Sequence, residues 1–155
     1  MISPGERMIL VVGYGNPGRQ DDGLGPALAG YFEARALPGV RTDADYQLNL
    51  EHAVALAECD TVVFIDASRD APPPFTFTRL EPAAEIAFSS HAVSPGGVLA
   101  LAQTHFGHCP ETWVLAVRGC SFDFSEGLTP QAREHATQAQ TFLEDWITKR
   151  AGAQV

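Results

Sequence analysis

Two adjacent carboxylates, Asp21 and Asp22, stand in a turn crowded with Gly13, Gly15, Pro17, Gly18, Gly23 and Gly25. The turn follows an apolar run, Met8 to Val12, that reads as a parallel strand covered on both faces. One carboxylate there is unremarkable, because an acid caps a helix N-terminus and faces the positive end of its dipole. Two in a row call for more, since open α/β sheets place their sites just past the C-terminal ends of strands. A second apolar run, Thr61 to Ala67, carries Asp66 at its end, and His91 stands in a serine-rich stretch, Ser89-Ser90-His91. Any one of these is more often a cap, a turn former or a solvated loop residue. Four of them at strand ends and turns form a candidate set.

The surrounding pattern supplies the elements to position that set. Leu24, Leu28, Tyr31 and Phe32 follow helical spacing up to Leu37-Pro38-Gly39. Val40 to Gln47 reads as a short strand, and Leu50 to Cys59 as a helix with Ala53, Leu56 and Ala57 on one face. Phe75 to Leu80 alternates as an edge or antiparallel strand should. Ser94-Pro95 opens a helix reaching about Phe106. Trp113 to Val117 is a third buried strand, and Thr129-Pro130 starts a last helix with Phe142, Leu143, Trp146 and Ile147 facing inward. Alternating strands and helices predict an α/β fold, a three-layer α/β/α sandwich on a mostly parallel twisted sheet of about five strands. The runs at Met8–Val12, Thr61–Ile65 and Trp113–Val117 are expected inside the sheet. Residues 1–7 read as a flexible extension and 8–150 as one catalytic domain.

Composition narrows the partners. The chain has 155 residues, 45% hydrophobic and 19% charged, and a formal charge of −9. Nucleic acid and anionic membranes need clusters of Lys and Arg that this balance lacks. Cys59, Cys109 and Cys120 are odd in number and far apart, which suits reduced thiols in the cytoplasm rather than disulfides or zinc. No H-E-x-x-H or G-x-S-x-G motif is present. Cys109 and Cys120 are expected as buried thiols, and His52, His105, His108 and His135 on exposed helix faces or turns.

G-Y-G-N-P-G also spells the dinucleotide fingerprint, but Asp21 and Asp22 would repel the pyrophosphate that such a loop cradles. The same letters resemble the opening of bacterial peptidyl-tRNA hydrolases. Those enzymes continue with a histidine–asparagine segment where this chain has Arg19-Gln20-Asp21-Asp22. That likeness covers little more than the loop.

A wider resemblance is to the hydrogenase maturation endopeptidases, which trim the large subunit of nickel–iron hydrogenases. Their opening, G-x-G-N then D-[DE]-x-x-G, is matched by Gly13, Gly15, Asn16, Asp21, Asp22 and Gly25. Asp66-Ala67 ending a strand, His91 in a turn before a helix, and the Arg118 to Pro130 segment follow in the same order. The D-G-G-T-x-G turn of many members is replaced here by Asp45-Tyr46-Gln47-Leu48.

The resemblance implies that Asp22, Asp66 and His91 contact nickel, and that this nickel arrives with the substrate, so the isolated protein should hold no tight metal. Oxygen and nitrogen donors suit such a borderline divalent ion. It further implies an endopeptidase acting on a hydrogenase large-subunit precursor, a cytoplasmic monomer without nucleic-acid or membrane partners. Asp21 or Asp22 would activate the attacking water, with Asn16, Asp45 and Gln47 binding substrate. Asp21 is alternatively a helix cap. A protein of another class, a non-catalytic checkpoint for a metal-loaded precursor, would use the same acidic pocket. The three ligand positions are expected to converge on one surface cleft.

Overall fold

In the computed structural model, which describes residues 8–83 and 93–152, the apolar runs become adjacent strands of one sheet. The strands are β1 (Ile9–Tyr14), β2 (Val40–Asp45), β3 (Thr61–Ser68), β4 (Phe75–Leu80) and β5 (Glu111–Arg118), in the order β2-β1-β3-β5-β4. All pairings are parallel except β4 with β5. The three strands expected inside the sheet are its three interior strands. The alternating Phe75–Leu80 run is the antiparallel edge, where one face can remain wet.

Among the described residues four helices cover the two faces: α1 (Leu24–Arg35), α2 (Glu51–Ala57), α3 (Pro95–Phe106) and α4 (Pro130–Gly152). Leu24, Leu28 and Phe32 of α1 join Leu143 and Ile147 of α4 against Val11, Val63, Ile65 and Leu115. On the opposite face Ala53 and Leu56 of α2 and Val98, Leu99 and Ala102 of α3 pack on Leu10, Val12, Val62 and Phe64. Burying a Leu, Ile or Phe side chain this fully is worth about 1.5–3 kcal/mol each. Phe77 stacks on Trp113 with ring centroids 4.8 Å apart, and Trp146 meets both edge-on, closing α4 over β4 and β5.

Local chemistry sets the helix ends. The Ser94 hydroxyl accepts the Gly97 N–H at 3.0 Å to start α3, and Gly107 stops it at φ 67°. Thr129 caps α4 in the same way, its hydroxyl accepting from Ala132 at 3.2 Å. The acids expected at the head of the first helix lie instead in a short 3-10 segment, Pro17–Gly23, just before α1.

The chain leaves β1 toward β2 on one side, while β3 lies on the other. The crevice between the C-terminal ends of β1 and β3 is therefore a topological switch point, where ligands of open α/β sheets bind.

Candidate active site

Close backbone contact brings the glycine turn onto that crevice. A Cβ on Gly13 would sit 2.0 Å from the Gly25 carbonyl oxygen, and one on Gly25 would sit 2.4 Å from that of Tyr14 and 2.7 Å from that of Ile65. With only hydrogens at both positions, the start of α1 lies directly on the ends of β1 and β3. The turn enters through Gly15 at φ 144°, where any side chain would strike the Asp22 carbonyl.

Asp22 is half-buried, and its Oδ2 accepts the Asn16 N–H at 2.7 Å. Asp66, at the end of β3, is also half-buried. Burial pushes its carboxyl up to about 6, the nearby Asp22 charge adds to this, and the Tyr14 hydroxyl and Ala67 N–H pull partly back. Tyr14 follows Gly13 on β1, and Gly13 lies opposite Ile65, so its side chain stands beside that of Asp66. Burial and the two carboxylates push the Tyr14 hydroxyl well above the ordinary phenol range. A half-buried carboxylate whose proton affinity is raised by burial and by a neighbouring carboxylate is a site that a cation would relieve.

The third expected ligand, His91, lies outside the described residues. Among the described residues no three His, Cys, Asp or Glu side chains gather as a metal site. The donors described are two carboxylates, Asp22 and Asp66, hard oxygen ligands of the kind a divalent cation takes.

Asp21 does different work. Its side chain is 0% exposed, and its oxygens accept from Cys120 N at 2.7 Å, Ser121 N at 3.0 Å, Thr129 N at 2.8 Å and Thr129 Oγ1 at 2.8 Å. Burial opposes its charge, but these hydrogen bonds outweigh it and hold the carboxyl below the ordinary range. The acid is turned away from solvent into the loop between β5 and α4. It caps neither the 3-10 segment nor α1.

Of the expected substrate contacts, Asn16 is at the site through its backbone, and its side chain accepts the Gly18 N–H at 2.9 Å. Asp45 borders a shallow, mostly apolar groove with Gly15, Pro17, Pro26, Ala44 and Tyr46, and its backbone carbonyl accepts the Gly15 N–H at 3.0 Å. Gln47 is exposed and is not among the residues lining that groove.

Two expectations are corrected. His52 is only 3% exposed rather than on an open helix face. Its Nδ1 accepts the Asn49 N–H at 3.0 Å, which leaves Nε2 to donate toward Asp43 Oδ2 at 3.2 Å. Cys109 and Cys120 are exposed, and Cys59 alone is a buried thiol. Sequence reasoning passed over Tyr14. A phenol between the two glycines, two residues past the apolar run Met8 to Val12, was the available signal.

No protein-family model matches the sequence, and no curated protein sequence matches it. The fold does have solved neighbours. The hydrogenase maturating endopeptidase HybD from E. coli superposes with a TM-score of 0.72 at 22% identity, covering 92% of this chain and 93% of that one. The [NiFe] hydrogenase maturation protease HycI from Thermococcus kodakarensis gives 0.69 at 21% identity, with 92% and 93% covered. The solution structure of an endopeptidase from Escherichia coli gives 0.68 at 24% identity, with 88% and 89% covered. Hydrogenase maturation proteases are thus among the structural neighbours of this chain, and the fold it adopts is theirs.

Proposed function

We propose that the chain is an endopeptidase that removes the C-terminal extension of a nickel-loaded hydrogenase large-subunit precursor, acting as a monomer in the cytoplasm. The observation that carries this reading is the pairing of Asp22 and Asp66 at the β1/β3 switch point, in a fold shared with proteins named hydrogenase maturation protease and hydrogenase maturating endopeptidase. The nickel is part of the substrate. Asp22, Asp66 and His91 read it, and the metal polarises the carbonyl to be cut.

The chain's own contribution is positional. Asp22 is held by the Asn16 N–H through Oδ2, which leaves Oδ1 as the carboxylate oxygen to face the metal or accept a proton from the attacking water. Asp21 has its oxygens engaged by four donors, so the role of base falls to Asp22. The groove at Gly15, Asp45 and Tyr46 runs up to the Asp22 turn and offers a berth for extended polypeptide.

The test is incubation of the purified protein with a nickel-loaded large-subunit precursor, reading the precursor's C-terminus by mass. Loss of one C-terminal fragment by wild type, and none by Asp22→Ala or His91→Ala, is expected. Tight binding of an uncut precursor would make the protein a checkpoint instead.

A further inference from the structure

Three arginines stand at the same C-terminal edge of the sheet as Asp22 and Asp66. Arg19 precedes Asp22 by three residues, Arg69 follows Asp66 by three, and Arg118 ends β5 opposite Ser68. Phe122 links the first two. The Arg69 guanidinium lies 4.1 Å from the centre of its ring, and Arg19 Nη2 donates to its carbonyl at 3.1 Å. Arg118 Nη1 donates to the Ala71 carbonyl at 3.0 Å, two residues beyond Arg69.

The three are held without a counter-charge. Arg35, Arg41, Lys149 and Arg150 each pair with a carboxylate, whereas among the described residues Arg19, Arg69 and Arg118 pair with none, as do Arg79 on β4 and Arg133 on α4. Asp70 and Asp123 lie in the same loops and make no ion pair with them. Arg19 and Arg118 each bury an Nε that has no acceptor, so their partly enclosed charge is poorly compensated. An anion on the remaining N–H groups of these guanidiniums would offset that cost. Stacking on Phe122 orients the Arg69 guanidinium without occupying any of its donors.

We propose that Arg19, Arg69 and Arg118 form a carboxylate-binding rim beside the Asp22–Asp66 pair, and that it takes an anionic segment of the polypeptide the site acts on. This rests on the endopeptidase reading. The acidic crevice and the basic rim then sort one substrate by charge, with its metal toward the carboxylates and a peptide carboxylate toward the arginines. That carboxylate is either an acidic side chain or the chain terminus, and the two are separable by experiment.

Arg69 is the residue to change, because it is exposed and touches only the Phe122 ring face among the contacts described. Precursor cleavage by Arg69→Gln should show KM raised about 5-fold with kcat unchanged, the size of one partly exposed charge pair. Arg69→Lys should recover part of the loss, and about 0.5 M salt should bring wild type toward the variant. An unchanged KM, or a fall in kcat alone, overturns the rim. A precursor with an amidated C-terminus, and another with the acids of its extension changed to amides, identify the source. The one that removes the difference between wild type and Arg69→Gln carries the carboxylate, and a difference that survives both overturns the proposal.

If wild type cleaves no precursor, the endopeptidase reading fails, and the rim is tested alone by NMR titration with a short acetylated peptide and its C-terminal amide. Shifts at the three arginine Nε–H signals with the acid only support the rim. Equal shifts with both peptides, or none, overturn it.

Discussion

Asp21 and Thr129 are 108 residues apart in sequence and joined by two hydrogen bonds of 2.8 Å, one from the Thr129 N–H and one from its hydroxyl. Thr129 is also the cap of α4. The turn before α1 and the start of α4 are thus held by one buried carboxylate, which fixes the backbone immediately before Asp22.

Asparagine cannot replace that carboxylate. It offers one acceptor oxygen and sets an NH₂ against the N–H donors of Cys120, Ser121 or Thr129. Asp21→Asn is expected to lose about 3 kcal/mol of stability, read by denaturant unfolding. Thr129→Val, which removes one donor and the cap, should lose about 1–2 kcal/mol. Because the folded Asp21 carboxyl titrates below its unfolded value, its contribution is present above about pH 4 and disappears as pH falls through the folded value. The gap between wild type and Asp21→Asn should therefore narrow in acid. A constant gap would mean that Asp21 is not held as an anion.

Asp66 has the opposite sign. Its folded carboxyl is pushed up to about 6, so the ionised form costs stability in neutral solution. The cost is absent below about pH 4 and complete above pH 6. Asp66→Asn should therefore be more stable than wild type near pH 7.5 by about 1–2 kcal/mol, with the advantage gone near pH 4. The same variant should fail to process precursor. Greater stability with lost activity marks a side chain kept for function.

Gly25→Ala tests the backbone contact beneath the site. Its methyl would meet the carbonyl oxygens of Tyr14 and Ile65 at 2.4 and 2.7 Å, so α1 must move away from the sheet. A loss of about 3 kcal/mol or failure to fold is expected, in the upper range for overpacking. Gly30→Ala, where a Cβ meets nothing within 4 Å, is the control and should be neutral or stabilising.

Asp22→Asn should leave the melting temperature nearly unchanged, because the amide oxygen can still accept the Asn16 N–H. Processing of a nickel-loaded precursor should nonetheless be lost. Wild-type cleavage rates in this variant would remove Asp22 from the site.

Apolar runs with no alternation at β1 and β3, an alternating run at β4 and a Ser-Pro start for α3 made the layers and the edge strand legible in the chain itself. These signals are local: burial on both faces, one-sided burial, and a cap with proline at the first turn. The position of Asp66 near the end of β3 was also readable, since the end of a parallel strand is known once the strand is known.

The division between Asp21 and Asp22 was decided only by the tertiary structure. Both are aspartates of one turn, and nothing local separates them. The difference comes from a loop about a hundred residues later, which supplies Asp21 with N–H donors and leaves Asp22 at the crevice. His52 is the same case, buried because Asp43 and Asn49 satisfy both ring nitrogens inside the fold. The arginine rim depends on Phe122 bringing Arg19 and Arg69 together. Strand and helix periodicity is written in neighbouring residues. Whether a polar side chain is buried, paired or left free depends on partners that only chain packing selects.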